Sequence, residues 1–315
     1  MLENNIYKFS IITPTYNRAE LLPRVYECLC NQNFLDIEWI IVDDGSTDNT
    51  NEVVQKFKKI FNIKYLYKIN AGKPAAMNYG VDVANSYITI SLDDDDIFCP
   101  DTLKYTWNYF DSNTGFFKYN CVGLSGLSQY ENGEIIGHRF PFDSHVSDYI
   151  RYIKNKNILG DKCDFFTTKI YKEFPFPIIN NEKQIAESIM HTRISFLYKT
   201  LYVNKVFYQK EFLNDGLSAQ NYWYMYPNSS ELFYNESSTP PFNVKLQIKH
   251  SAKYIFFAKM NHKSNIYYNA KNKNIFLLGY FAYYLYVIKE YLCKKKLFKY
   301  LLKNKSYKMF NKRIK

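Results

Sequence analysis

Apolar and polar residues fall in blocks along the first third of the chain, and the period changes from block to block. Lys8 to Thr13 (KFSIIT), Ile37 to Val42 (IEWIIV), Ile63 to Tyr67 and Tyr87 to Leu92 (YITISL) are short apolar runs rich in β-branched residues. Such runs read as buried strands. Between them the apolar residues recur at helical spacing. Ala19 to Gln32, Thr50 to Phe61 and Pro74 to Ala84 are predicted helices, with Val53, Val54 and Phe57 on one side of the second. Pro100 to Phe110 adds a further helix. Pro14 closes the first strand, and Pro74 suits a first helical turn. Strands alternating with helices of this length predict right-handed crossovers and an α/β fold with a mainly parallel sheet.

The pattern then changes. Cys121 to Gly137 carries an Asn-Gly turn between extended segments, a hairpin signal. Past about Tyr222 the chain is rich in Tyr, Asn and Lys, and Pro240-Pro241 marks a boundary. The expected division is a domain over 1–225 and a mostly helical, aromatic and basic extension over 226–315. Within the extension, Ile275 to Ile288 is a 14-residue apolar and aromatic run. That is too short to span a bilayer, which takes about 20 residues.

Composition narrows the class. At 47% hydrophobic and 19% aromatic residues the chain is globular rather than disordered. Its net charge of +11 is concentrated in one place: Lys289 to Lys315 holds ten Lys, one Arg and one Glu. The body is therefore nearly neutral and the tail strongly basic. The six cysteines form no CxxC pair and no zinc spacing, so they read as reduced thiols of a cytoplasmic protein. Met1 to Lys8 lacks the basic start and apolar core of a signal peptide.

Candidate chemistry lies where the strands end. The fourth strand runs straight into Asp93-Asp94-Asp95-Asp96. Acidic runs are ordinarily solvated loops, but carboxylates at the C-terminal end of a buried strand stand where open α/β sheets bind ligands. Hard oxygen donors suit Mg²⁺ or Mn²⁺, and through it a substrate phosphate. The first strand ends in Thr13-Pro14-Thr15-Tyr16-Asn17-Arg18, and the second in Asp43-Asp44-Gly45-Ser46-Thr47-Asp48. Three such ends of one sheet converge on one crevice, although an ordinary turn with Asp48 or Thr50 capping the next helix also explains the second.

Four motifs taken in order resemble the family 2 glycosyltransferases of GT-A (Rossmann-like) fold. They are Pro14-Thr15-Tyr16-Asn17; Val42 to Asp48; Asn70-Ala71-Gly72-Lys73 through Ala76, Asn78 and Gly80; and Leu92 to Asp96. The resemblance covers roughly residues 7 to 220 and implies a nucleotide-sugar donor lying across the strand ends. By that match the backbone around Thr13 and Thr15, with Pro14 and Tyr16 in the same stretch, and the carboxylate of Asp44 would hold the base. A carboxylate accepting from the ring N–H favours uridine, and so a UDP-sugar. Asp43 would contact the nucleoside or orient its loop, and Lys73 would approach the base or the diphosphate. The family's Asp-x-Asp motif implies Mn²⁺ or Mg²⁺ held by Asp95 with Asp93 assisting. Asp94 would face the ribose or a metal-bound water, and the extra carboxylate of Asp96 leaves the register open by one. Further on, the family places an acidic general base six positions before an Arg. Glu187 and Arg193 match that spacing, with Ala-Glu in place of the usual Glu-Asp and Glu182 as a second candidate. Asp215-Gly216-Leu217-Ser218 resembles a loop near the active site in such enzymes.

The implied activity is an inverting, metal-dependent transfer to a glycan or lipid-linked acceptor in surface-polysaccharide synthesis. A nucleotidyltransferase would show a Gly-rich phosphate loop after the first strand, where this chain has Thr-Pro-Thr-Tyr-Asn. An inactive scaffold would lack the acidic run or the base. The aromatic run and basic tail are expected to meet an anionic membrane surface rather than nucleic acid, which makes the protein peripheral on the inner face of the plasma membrane.

Overall fold

The computed structural model describes residues 6–111, 120–179, 182–183, 185–210, 229–260 and 263–284. Two compact units result, Met1–Tyr226 and Pro227–Lys315. Pro240-Pro241 therefore lies inside the second unit and not at the division.

The first unit begins with the alternation that the apolar blocks predict: β1 (Tyr7–Thr15), α1 (Leu22–Cys30), β2 (Ile37–Asp43), α2 (Thr50–Gln55), β3 (Asn62–Tyr67), α3 (Lys73–Val83) and β4 (Ser86–Ser91). It continues with β5 (Asp96–Phe98), α4 (Thr102–Asp111), β6 (Cys121–Tyr130), β7 (His145–Ser147), β8 (Lys162–Thr167), α5 (Thr168–Glu173), α6 (Ser188–Ser195) and β9 (Lys199–Lys210). The strands form one sheet in the order β3-β2-β1-β4-β8-β6-β9-β5, with β7 on β9. The strands β3, β2, β1 and β4 are mutually parallel, β6 and β9 are parallel, and the pairings β4–β8, β6–β8, β5–β9 and β7–β9 are antiparallel.

Every residue of β2 is buried, because helices cover both faces of the sheet. Ile11, Trp39, Ile41 and Ile90 face α1, α2 and α4, in a core with Leu22, Val25, Leu29, Val54 and Leu103. Their strand neighbours Ile12, Ile40 and Val42 face α3, α5 and α6, in a core with Ala76, Met77, Ile170, Met190 and Ile194. The period-2 alternation of strands thus feeds two cores from one apolar run.

Three local expectations change. β1 continues through Pro14 to Thr15 in register with Asp43. α1 and α2 are shorter than their apolar periodicity, α2 ending at Gln55. The Asn-Gly turn forms, with Gly133 N donating to Tyr130 O (3.0 Å), but the returning arm makes only a bridge at Ile135, because β6 pairs with β8 and β9 instead.

The second unit holds α7 (Ser229–Ser237), α8 (Val244–Met260) and a helix over residues 273–284, packed around Tyr234, Tyr254, Ile255 and Phe276. Among the described residues no helix is long and apolar enough to cross a membrane.

Candidate active site

Parallel register places the ends of β1, β2 and β4 side by side. Thr15 lies opposite Asp43, and Leu92 N donates to Ile12 O (2.9 Å) just beyond β4. The first two strand ends are laced together. Thr47 N donates to Asn17 Oδ1 (2.7 Å), Asn17 N to Ser46 Oγ (2.9 Å), and Ala19 N to Asp48 Oδ2 (3.1 Å). Asp48 also accepts from Thr50 N at the start of α2 (3.1 Å), but the N-cap of that helix is Asn49, whose side chain makes no capping bond.

The donor-side residues take distinct positions. Thr13 is buried and its Oγ1 accepts from the Trp39 indole (2.9 Å), so its side chain faces the core. Tyr16 stands exposed. Asp43 orients its own loop, accepting from Ser46 N (2.7 Å) and the Tyr65 hydroxyl (2.5 Å). Asp44 accepts from Lys68 Nζ (2.6 Å), Ala71 N (3.0 Å) and Gly72 N (2.7 Å), which fastens the Asn70–Lys73 segment to β2.

The four aspartates split. Asp94 is buried against the β1 loop, accepting from Thr15 Oγ1 (2.8 Å) and Arg18 Nη1 (2.9 Å). Burial pushes its carboxyl up to about 6, against the pull of Arg18. Asp93, Asp95 and Asp96 bring one carboxylate oxygen each within 4.8 Å of the others. Asp95 pairs with Arg18 (3.1 Å), and Asp96 opposite Lys210 in the β5–β9 ladder pairs with its Nζ (2.8 Å). Burial raises Asp96 to about 7, Lys210 opposing and Asp93 adding to the rise. Burial also disfavours charge on Asp93, but Lys73 and Lys210 outweigh it and hold that carboxyl below the usual range.

Lys73, the first residue of α3, has its Nζ 2.8 Å from Asp93 and 3.0 Å from Glu187 Oε1. Glu187 sits at the N-cap of α6 with its side chain 47% exposed, and the Lys73 charge holds its carboxyl below the usual range. One pocket is lined by Asp93, Asp96, Lys210 and Glu187 on one side and by Lys162, Asp164, Tyr171 and His191 on the other. A carboxylate capable of taking a proton and two carboxylates of the acidic run, Asp93 and Asp96, thus face one space.

Residues 10–168 match the family model described as glycosyl transferase family 2. The chain belongs to this family.

The chain is 30% identical over 206 residues to the GalNAc(5)-diNAcBac-PP-undecaprenol beta-1,3-glucosyltransferase of Campylobacter jejuni, covering 64% of this chain and 62% of that protein. It is 32% identical over 142 residues to the glycosyltransferase RC0461 of Rickettsia conorii, covering 44% of this chain but only 24% of that longer protein. Among solved structures it is similar to S. aureus TarS 1-349 in complex with UDP-GlcNAc, with TM-score 0.63, 18% identity, and coverage of 86% of this chain and 78% of that one. That last likeness is one of fold.

In this family 2 domain the residues suit a divalent ion. The donors at Asp93, Asp95 and Asp96 are hard oxygens. Asp93 Oδ1 is buried and receives no well-aligned hydrogen bond, although Lys73 Nζ lies near it. The cluster adds Asp96 to the pair expected from the motif and sets Asp94 apart.

Several site residues carry no sequence signal of their own. Arg18 follows the first motif, but its pairing with the acidic run is visible only in three dimensions. Lys210 is a lone lysine at the end of β9. Asp164 on β8 and His191 on α6 approach to 3.7 Å, the Asp164 carboxyl raised by burial against the pull of His191. Glu182 is buried away from this pocket's lining, and Asp215 to Ser218 lie outside the described residues.

Proposed function

We propose that this family 2 domain transfers a sugar from a UDP-sugar to a hydroxyl of a glycan or lipid-linked acceptor, with inversion at the anomeric carbon. One observation carries the reading: Glu187, Asp93 and Asp96 line the same pocket, and Glu187 and Asp93 share Lys73 as a common ion-pair partner. The UDP-GlcNAc in the TarS complex and the undecaprenol-linked substrate in the C. jejuni relative's name support the two substrate classes.

In the transfer, the acceptor oxygen attacks the anomeric carbon as the bond to the diphosphate oxygen breaks. Glu187, held ionised by Lys73, takes the hydroxyl proton as that oxygen becomes acidic. Arg18, Lys73 and Lys210 are cations positioned to meet the negative charge gathering on the departing diphosphate. Mn²⁺ or Mg²⁺, held by Asp95 and Asp93 with Asp96, would supply further charge neutralisation there. On the donor side, Asp44 retains acceptor capacity for a ring N–H beyond its three present donors. The setting is cytoplasmic, the compartment in which thiols such as Cys28, Cys99 and Cys163 stay unpaired, and the route is surface-polysaccharide synthesis.

A panel of UDP- and GDP-sugars tests this, with nucleotide release as the readout and NMR of the product anomer. UDP release that EDTA and Glu187→Gln both abolish is the expected result. Release from GDP-sugars alone, or a product of retained configuration, would overturn it.

A further inference from the structure

The helix over residues 273–284 is apolar on two sides. Its Ile275 and Phe276 are buried, and Tyr280 and Tyr283 pack with them into the core of the second unit. On the other side Leu277, Leu278, Phe281 and Tyr284 are exposed by 47%, 47%, 76% and 57%. Their spacing places all four on one stripe of the helix. Single exposed leucines need no explanation, but a contiguous apolar stripe marks a contact surface.

The stripe cannot be turned inward. Gly279 faces α8 so closely that a Cβ on it would lie 2.1 Å from Ser251 Oγ and 3.1 Å from Ala252 N. Any larger residue at the seam would push the two helices apart, so the rotation of this helix is set. Lys259 adds a second fix: its Nζ donates to the Tyr280 hydroxyl (2.9 Å) and lies over the Tyr280 and Tyr283 rings at 4.7 and 4.8 Å. Leu277, Phe281 and Tyr284 are thereby held outward.

Charge indicates what covers them. Residues 227–284 contain seven lysines, two glutamates and no aspartate, a net of +5. Lys271 and Lys273 are exposed where the helix begins. The sequence that follows, 289–315, adds a further +10. A second copy of this surface would bring like charges together. An apolar, aromatic stripe beside dense lysine fits instead an interface that is oily within and anionic at its rim.

We propose that this face docks on an anionic lipid bilayer, with Leu277, Leu278, Phe281 and Tyr284 seated at the headgroup boundary and the lysines meeting lipid phosphates. The proposal rests on the second unit alone and stands whether or not the transferase reading does.

Flotation of the whole chain with vesicles tests it. Vesicles of phosphatidylcholine mixed with phosphatidylglycerol should carry the protein at low salt, and pure phosphatidylcholine should not. Raising the salt should release it. The double variant Leu277→Ser/Phe281→Ser should bind the anionic vesicles about tenfold more weakly or worse, from the apolar area withdrawn. Both side chains are exposed, so its thermal melt should match that of the parent. Failure of the parent to float with anionic vesicles at low salt overturns the proposal. So does a double variant that floats as well as the parent, since lysines alone would then tether the protein. A dimer in light scattering that the double variant converts to monomer would assign the stripe to a second copy.

Discussion

Lys73 at the first turn of α3 and Glu187 at the start of α6 form an ion pair 3.0 Å long. The same ammonium group lies 2.8 Å from Asp93. One side chain therefore couples the proposed base to the carboxylate cluster, and its backbone is held as well: Lys73 N donates to Lys183 O (3.0 Å), in the segment that leads to Glu187.

Replacing Lys73 by Met should shift the acid limb of the pH–rate profile upward. The base works ionised, so activity falls as pH drops through the Glu187 pKa. Lys73 places that fall below the ordinary Glu value of about 4.3. Without it, the Asp93 charge pushes the pKa up. An unmoved acid limb in the Lys73→Met profile would show that Glu187 does not set it.

Glu187→Gln should keep UDP binding and lose most transfer, by about 10²-fold or more. The amide fits the same space but takes no proton. Calorimetry of UDP binding beside a turnover assay separates these effects, and a variant with near-normal turnover removes Glu187 as the base.

Asp95→Ala should cost on the order of 10²-fold in turnover, the size of losing a key charge-stabilising group. It should also weaken Mn²⁺ binding in paramagnetic resonance titrations, whereas Asp94→Asn should disturb the Arg18 and Thr15 contacts and leave Mn²⁺ binding closer to normal. Equal loss of Mn²⁺ in both would undo the division of the acidic run.

In EDTA the protein should become more stable as pH falls from about 7.5 towards about 5.5. The folded-state values of Asp96, about 7, and Asp94, about 6, lie above the unfolded carboxylate range near 4. Over that window the folded protein binds more protons than the unfolded chain, so protonation favours the fold and stability is lost as pH rises through the folded values. Asp96→Asn should flatten the dependence. Melting curves across the window decide it.

Gly72→Ala should destabilise the fold by roughly 1–3 kcal/mol or more from backbone strain alone. Gly72 has φ of 92°, and an added Cβ would lie 2.2 Å from Lys183 O. Its N–H also donates to Asp44. Lower melting temperature together with weaker UDP binding is the expected pair of results.

The parallel half of the sheet was legible in the sequence because strands buried on both faces leave nearly continuous apolar runs, as Ile37 to Val42 does. The antiparallel half was not. Lys199–Lys210 interrupts its apolar residues with Asn204, Lys205 and Gln209, and Lys162–Thr167 is short and mixed. The acidic run was legible as a candidate cation site, since carboxylates at the C-terminal end of a buried strand stand where open α/β sheets bind ligands. Its internal division was not, because Thr15 holds Asp94 while Arg18 bridges Asp94 and Asp95, approaches made only after β1 and β4 pair. Lys210 and Asp164 enter through strand register, which no local pattern encodes.

The acidic run and Glu187, with the cations paired to them, also raise a matter of electroneutrality. Five carboxylates, on Asp93, Asp94, Asp95, Asp96 and Glu187, are met by three fixed cations, on Arg18, Lys73 and Lys210. Fully ionised, the group is left with two negative charges, which matches a single divalent ion. A nucleoside diphosphate arriving alone would find an anionic surface and be repelled; arriving with its counter-ion, it would find one that is balanced. In the proposed transfer, the lysines around the acidic run would then act as a filter on the ionic form in which a substrate can enter.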